Sequence, residues 1–261
     1  KVYQEHQIPV FDNLNDLYTA ISRLAWWSDT CSRPVQAVSE RGSAAESYRG
    51  VVPADDAKRL VKAAGFRLVD EAVVLDRSAA MDEGERIGFP IVLKIVSERI
   101  PHKTESGGVA IGIRNRDEAG DTFDRLMANA RVFLGEGEAD GVLVQKQVEG
   151  GTEIILGLKI DPNLGPFVLV GLGGITTELM KDVAIRPAPV DIGTAREMID
   201  GLRGKALLHG FRGEPPRDVE ALADSIVKLS ALGAAQREWL SEADLNPLLV
   251  LEDGKGVRAV D

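Results

Sequence analysis

Apolar residues recur along this chain in two rhythms. One is the short aliphatic, β-branched run of a strand; the other is the three-and-four spacing of an amphipathic helix. Residues 8–11, Ile8-Pro-Val-Phe11, make a first apolar piece. Leu14, Leu17, Ile21, Leu24 and Ala25 then fall at helical spacing, with Asp12 or Asn13 available as cap. Residues 30–49 are polar and small without period and predict a linker. From Val51 the pattern restarts. Pro53-Ala-Asp-Asp56 opens a helix with Ala57, Leu60, Val61 and Ala64 on one face, and Gly65 stops it. A strand over 66–75, a helix over 78–87 and a terminating Gly88 follow. The stretch 89–109 gives a buried-type strand from Ile91 to Val96, a polar segment, and Gly107-Gly108 before a second apolar run over 109–113. A long helix over 117–134 turns Phe123, Leu126, Ala130 and Phe133 inward. Two strands, 142–148 and 153–159, joined by Glu149-Gly-Gly-Thr152, predict a hairpin. Strands over 167–170 and 183–186, helices over 194–203 and 217–232, and a strand pair over 245–251 and 257–260 complete the pattern. Strands and helices intermix without strict alternation, so the expected class is α+β or mixed α/β. No repeat of fixed period is present.

Composition narrows the function. With 261 residues and no apolar run of membrane-spanning length, one large or two small domains are expected. The first ten residues lack the apolar core of a signal peptide. The single cysteine, Cys31, excludes an internal disulfide framework and a cysteine zinc site, which points to a reducing, cytoplasmic setting. A net charge of −10, from 41 acids against 31 bases, argues against general nucleic-acid binding. Phosphate chemistry in so acidic a chain requires its cations to be concentrated locally.

Four places carry candidate chemistry. Lys94 interrupts an apolar strand, where a cation is costly unless partnered; it is either the wet face of an edge strand or a point charge that pins a phosphate. His102 lies in the polar segment after that strand, either as a solvated loop histidine or as a neutral imidazole nucleophile able to visit two sites. Gly171-Leu-Gly-Gly174 ends a strand, either as a tight turn or as backbone N–H groups brought close to phosphate oxygens. No Gly-Lys-Ser/Thr follows it, and Thr176 stands where a dinucleotide fingerprint has its last glycine. Finally, Asp244 and Asn246 are two apart on a strand, hence on one face, and Asp261 ends a neighbouring strand. Such oxygen donors suit Mg²⁺, against the alternative of an Asx-type turn with solvated acids.

The segments GFPIVLKIVSERIPHKTESGGV, VLVQKQVEGGTEIILGLKIDPNLGP, GLGGITTELMKDVAIRPAP and ADLNPLLV, in this order, resemble the ATP-grasp domain of the ADP-forming acyl-CoA synthetases, relatives of the succinyl-CoA synthetase β subunit. The resemblance implies an ATP-grasp fold of two subdomains, over 51–155 with a swinging histidine loop and over 156–261 with a Mg²⁺ site. It further implies that residues 1–29 are the tail of a preceding flavodoxin-like CoA-ligase domain, joined by a linker over 30–50. By the same resemblance, Lys94 contacts nucleotide phosphate, the strand through Gln145, Lys146 and Val148 reads adenine by its backbone, and Glu153 lies close to the nucleotide. Gly173 and Gly174 belong to the nucleotide site, Asn246 and Asp261 are the Mg²⁺ ligands, and Asp244 orients the phosphorylated histidine, His102. The departures are Thr176-Thr177, where bulkier residues are usual, and Leu245, where Ile is common.

What the resemblance implies is a reversible phosphoryl relay from acyl-CoA, phosphate and ADP to carboxylic acid, CoA and ATP. The partners would be CoA-binding and CoA-ligase domains of the same or another chain, in an oligomer, with no nucleic acid or membrane. Two other readings stand beside it: a regulatory nucleotide- or ligand-binding module fused to a protein acetyltransferase, and a carboxylate–amine ligase of the wider ATP-grasp class.

Overall fold

A computed structural model describes residues 11, 13–32, 50–97, 99, 107–135, 139–174 and 182–260. The chain divides into two compact units, one of Lys1–Val52, Ile155–Lys205 and Leu222–Asp244, the other of Pro53–Ile154, Ala206–Ala221 and Leu245–Asp261. Helix α1, Leu14–Ser32, starts where Asn13 Oδ1 accepts the Asp16 N–H at 2.9 Å. It runs three residues past the expected linker boundary, and Leu14, Tyr18, Ile21 and Leu24 are exposed along it. Most of the expected linker and the apolar piece before Phe11 lie outside the described residues.

The unit that begins at Pro53 is the one organised around residues 89–109. Helix α2, Ala54–Ala63, follows Pro53 and ends before Gly65. Then come β1 (Glu71–Val74), α3 (Arg77–Ile87), β2 (Ile91–Val96), β3 (Val109–Ile113), α4 (Arg116–Leu134) and β4 (Gly141–Lys146). The four strands form a sheet of order β1-β4-β2-β3, antiparallel at each junction. Helices start where capping chemistry allows. Asp76 accepts the Ala79 N–H at 2.8 Å to open α3. Asn115 accepts the Glu118 N–H at 2.9 Å while Glu118 reaches back to the Arg114 N–H, a reciprocal cap that opens α4.

Alternation along the strands then builds the core. Ile91, Leu93 and Ile95 of β2 and Val142 and Val144 of β4 are buried with Phe123, Leu126, Ala130 and Leu134 of α4. Each fully buried Leu or Ile contributes about 1.5–3 kcal/mol relative to exposure. Phe133, expected inward, is 59% exposed, and Leu134 takes the buried position at the end of the helix. At the last turn one residue of rotation is enough to exchange the two.

The remaining elements are β5 (Thr152–Asp161), β6 (Gly165–Leu172), β7 (Val183–Pro187), α5 (Ile192–Asp200), a 3₁₀ turn at Lys205–Leu207, α6 (Val219–Ala235), β8 (Glu242–Val250) and β9 (Val257–Ala259). The strands form a five-stranded sheet of order β7-β6-β5-β8-β9. The expected hairpin between the strands at 142–148 and 153–159 is not formed, because β4 and β5 belong to different sheets. Gly150 and Gly151, at φ +73° and +92°, turn the chain out of one sheet and into the other instead of back on itself. A glycine turn specifies a change of direction; which edge receives the next strand depends on partners elsewhere.

Candidate functional site

Lys94 gains its setting from the period of β2. Its neighbours Leu93 and Ile95 enter the core, so Lys94 takes the sheet face opposite α3 and α4, half-buried, with Leu143 and Val109 as cross-strand partners. The edge-strand reading does not hold, since β2 lies between β4 and β3.

The same face carries Gln145, whose Cα pairs with Val92 on one side and Glu71 on the other. Its side chain is buried at 1% exposure. The amide nitrogen donates to Glu71 Oε2 at 2.5 Å and to the Val260 carbonyl at 2.8 Å, while Lys58 pairs with the other Glu71 oxygen. Gln145 Oε1 is buried without a hydrogen-bond partner among the described residues. Nothing in the local pattern around Glu71 marked it; its part follows only from the register that sets β1 against β4.

Lys146, next along β4, opposes Ile91 and so belongs to the helix-covered face. Its ammonium donates to the carbonyls of Gly88 at 2.6 Å and Phe89 at 3.2 Å, where it complements the C-terminal end of α3. The Lys146 N–H donates to Asp70 and the Gln147 N–H to Pro90, which anchors the strand before Val148. Val148 is half-buried, and Glu153 is exposed near the start of β5.

His102 lies outside the described residues, but the chain on both sides of it is anchored. Ser97 is buried, the Ile95 N–H donates to the Gly108 carbonyl at 2.8 Å, and the Gly107 carbonyl accepts from Asn129 Nδ2 at 3.1 Å.

Gly173 and Gly174 close β6 in the other unit, Gly174 at φ +74° and exposed. Asp182, at the start of the return strand, is a residue whose part sequence reasoning missed. Its buried carboxylate accepts the Arg203 and Gly204 N–H groups at 2.8 and 2.9 Å. Gly204 also lies against Leu172, so both legs of the glycine connection are held to the same turn.

On β8, Asp244 and Asn246 are exposed and Leu245 between them is buried at 5%, as strand alternation requires. Glu242, two residues earlier, is taken by Lys159 at 2.5 Å, and that contact holds its carboxyl below the usual carboxylate range. Asp261 lies outside the described residues. The Val260 N–H before it donates to the Pro247 carbonyl at 3.2 Å. Among the described residues no group of three or more His, Cys, Asp or Glu could hold a metal ion. None of the described helices is long and apolar enough to cross a membrane.

Residues 43–261 match the ATP-grasp domain family. The chain is 40% identical over 198 residues to the acetate–CoA ligase [ADP-forming] I subunit beta of Pyrococcus furiosus, covering 76% of this chain and 85% of that subunit. It is 38% identical over 207 residues to the 4-hydroxybutyrate–CoA ligase [ADP-forming] of Nitrosopumilus maritimus, covering 79% of this chain but 30% of that longer enzyme. In three dimensions it superimposes on the dinucleotide-forming acetyl-coenzyme A synthetase 1 of Ca. Korarchaeum cryptofilum in complex with coenzyme A and Ca-AMPCP. That match has a TM-score of 0.74 at 35% identity, over 79% of this chain and 89% of that one. Another structure of that synthetase, TM-score 0.68 at 34% identity, holds coenzyme A and Mg-AMPPCP with the phosphohistidine segment pointing towards the nucleotide binding site; it covers 79% of this chain and 88% of that one.

Proposed function

This chain belongs to the ATP-grasp family, as a homologue of the beta subunits of ADP-forming acetate–CoA ligases, and from that premise we propose that it is the nucleotide-binding, phosphoryl-transferring part of an ADP-forming acyl-CoA synthetase. One observation carries the reading. Lys94 is the charged residue of an internal strand, and it shares the sheet face opposite α3 and α4 with Gln145, whose strand leads directly into Val148. A half-buried cation on the face opposite a packed core is suited to phosphate, since the core side is already filled.

In this reading the backbone around Lys146 and Val148 receives adenine, with Glu153 close to the nucleotide, and Lys94 neutralises phosphate charge. Gly173 and Gly174 admit phosphate oxygens to the backbone. The donors at the cation end, the Asn246 amide oxygen on an exposed strand position and the Asp261 carboxylate, are hard oxygens and fit Mg²⁺. Bound there, Mg²⁺ supplies charge neutralisation on the transferring phosphoryl group. His102 attacks the γ-phosphorus of ATP; an N–P bond forms, the bond from the γ-phosphorus to the β–γ bridging oxygen breaks, ADP leaves and the ring gives up its proton. Asp244 orients the ring. In the reverse direction the phosphoryl group passes from His102 to ADP. The acyl and coenzyme A steps fall to CoA-binding and CoA-ligase domains of the same or a partner chain, and the assembly is oligomeric and cytoplasmic.

The test is direct. Mg-ATP should raise the melting temperature, since ligand at a hundredfold excess over Kd stabilises the native state by about 2.7 kcal/mol. Lys94→Met and Asn246→Ala should each remove that gain. ATP labelled on the γ-phosphate should leave an acid-labile, base-stable label on the protein. His102→Asn should abolish the label and keep the Mg-ATP shift, and Asp244→Asn should slow labelling. Label that persists in His102→Asn removes that residue from the relay.

A further inference from the structure

A buried glutamine is an unusual way to fill a sheet face. Gln145 is 1% exposed, and its Oε1 lacks a hydrogen-bond partner among the described residues, which makes it a poor choice for stability alone. Its orientation is dictated by its surroundings. Glu71 Oε2 and the Val260 carbonyl oxygen can only accept, so both must face the amide nitrogen, and the nitrogen's two hydrogens serve one acceptor each. Leucine would serve neither, and glutamate would bring three acceptors together. The position asks for a primary amide.

The chain at Val260 is held from two sides. Its N–H donates to the Pro247 carbonyl, the residue after Asn246, and its carbonyl accepts from Gln145. Just before it, Ala259 exchanges hydrogen bonds with the backbone of Arg67 and Val69. Glu71 in turn is fixed by Lys58, so the amide is aimed by a paired carboxylate. These residues all lie in one compact unit.

We propose that Gln145 is a positioning residue for the divalent-cation end of the nucleotide site. Its amide, aimed by Glu71, clamps the Val260 carbonyl, and the Val260 N–H in turn holds the Pro247 carbonyl, so the clamp sets the backbone next to the proposed cation ligand Asn246. The strand proposed to meet adenine is thereby tied through one side chain to the backbone beside Asn246. This rests on the nucleotide-site reading above.

The experiment titrates Mg²⁺ against the chain at fixed, saturating ADP and follows the melting temperature to obtain the half-saturating Mg²⁺ concentration. One hydrogen bond to a neutral carbonyl corresponds to about a three- to tenfold change in an equilibrium. Gln145→Glu should therefore raise the Mg²⁺ half-point about three- to tenfold. The decisive variant is the exchange Glu71→Gln with Gln145→Glu. It restores an amide–carboxylate pair between β1 and β4 but leaves no donor for the Val260 carbonyl. The exchange should recover ligand-free melting temperature relative to Gln145→Glu and keep the raised Mg²⁺ half-point. A half-point that returns to the wild-type value in the exchange, or that never moves in Gln145→Glu, overturns the proposal and leaves the nucleotide reading standing. A wild type with no Mg²⁺-dependent response to ADP overturns the nucleotide reading and this proposal with it.

Discussion

The turn between β4 and β5 offers a perturbation with its own control. Gly150 and Gly151 both have φ in the left-handed half of the map, at +73° and +92°. A Cβ at Gly150 meets nothing within 4 Å, whereas one at Gly151 lies 3.1 Å from the Val250 carbonyl oxygen and 3.3 Å from Leu251 Cδ2. Gly150→Ala therefore carries only the backbone term, about 1 kcal/mol. Gly151→Ala carries that term and a contact with a carbonyl at the end of β8, where Val250 is paired with Val257 of β9 and cannot readily give way. Forcing such a contact costs about a further 1–2 kcal/mol. Alanine also narrows the unfolded ensemble, but equally in both variants, so that effect cancels in the comparison. For a chain of this size about 1 kcal/mol corresponds to roughly 2–4 °C. Gly150→Ala should melt about 2–4 °C below wild type, and Gly151→Ala about 4–12 °C below it. The assay is a thermal melt of the three proteins side by side, with urea unfolding as a second measure. A Gly151→Ala variant as stable as Gly150→Ala would refute the close approach of this turn to β8, and with it the account of how the chain leaves the four-stranded sheet.

Two further outcomes are expected. Asp182→Asn keeps one acceptor of the two and leaves a buried N–H without a partner, so stability should fall by about 1–3 kcal/mol. On the phosphate role proposed for Gly173 and Gly174, the affinity for Mg-ATP should fall with it, because that carboxylate holds the chain where β7 begins; calorimetric titration of the variant below its melting temperature reads this out. Asp76, whose carboxyl is held below the usual range by the Ser78 hydroxyl and then by the Ala79 N–H, contributes stability above the unfolded carboxylate pKa that disappears as pH falls through the folded value. The melting-temperature advantage of wild type over Asp76→Ala should thus hold from neutral pH down to the unfolded carboxylate range and shrink as pH falls through the folded value, while that of Asp76→Asn, which keeps an uncharged acceptor for Ala79, should stay flat with pH.

Periodicity and capping chemistry are enough to place most of the elements. The strand at Ile91–Val96, the helix ending at Ile87 and the final strand pair all fall where the spacing of apolar residues and the stops at glycine put them, because those signals are local. Motif order is likewise sufficient for the family, and the alternation of Asp244, Leu245 and Asn246 follows from the strand repeat alone. Partner choice is not local. That β4 and β5 join different sheets, that β2 is internal and leaves Lys94 on the face opposite α3 and α4, and that Glu71, Gln145 and Val260 meet all depend on register between segments far apart in the chain. The same holds for the Lys146 ammonium, which closes the end of α3. Sequence determined which residues form strands and helices, since that is settled within a few neighbours; tertiary structure decided what each polar side chain faces, since a buried hydrogen bond needs a partner that only folding brings within reach.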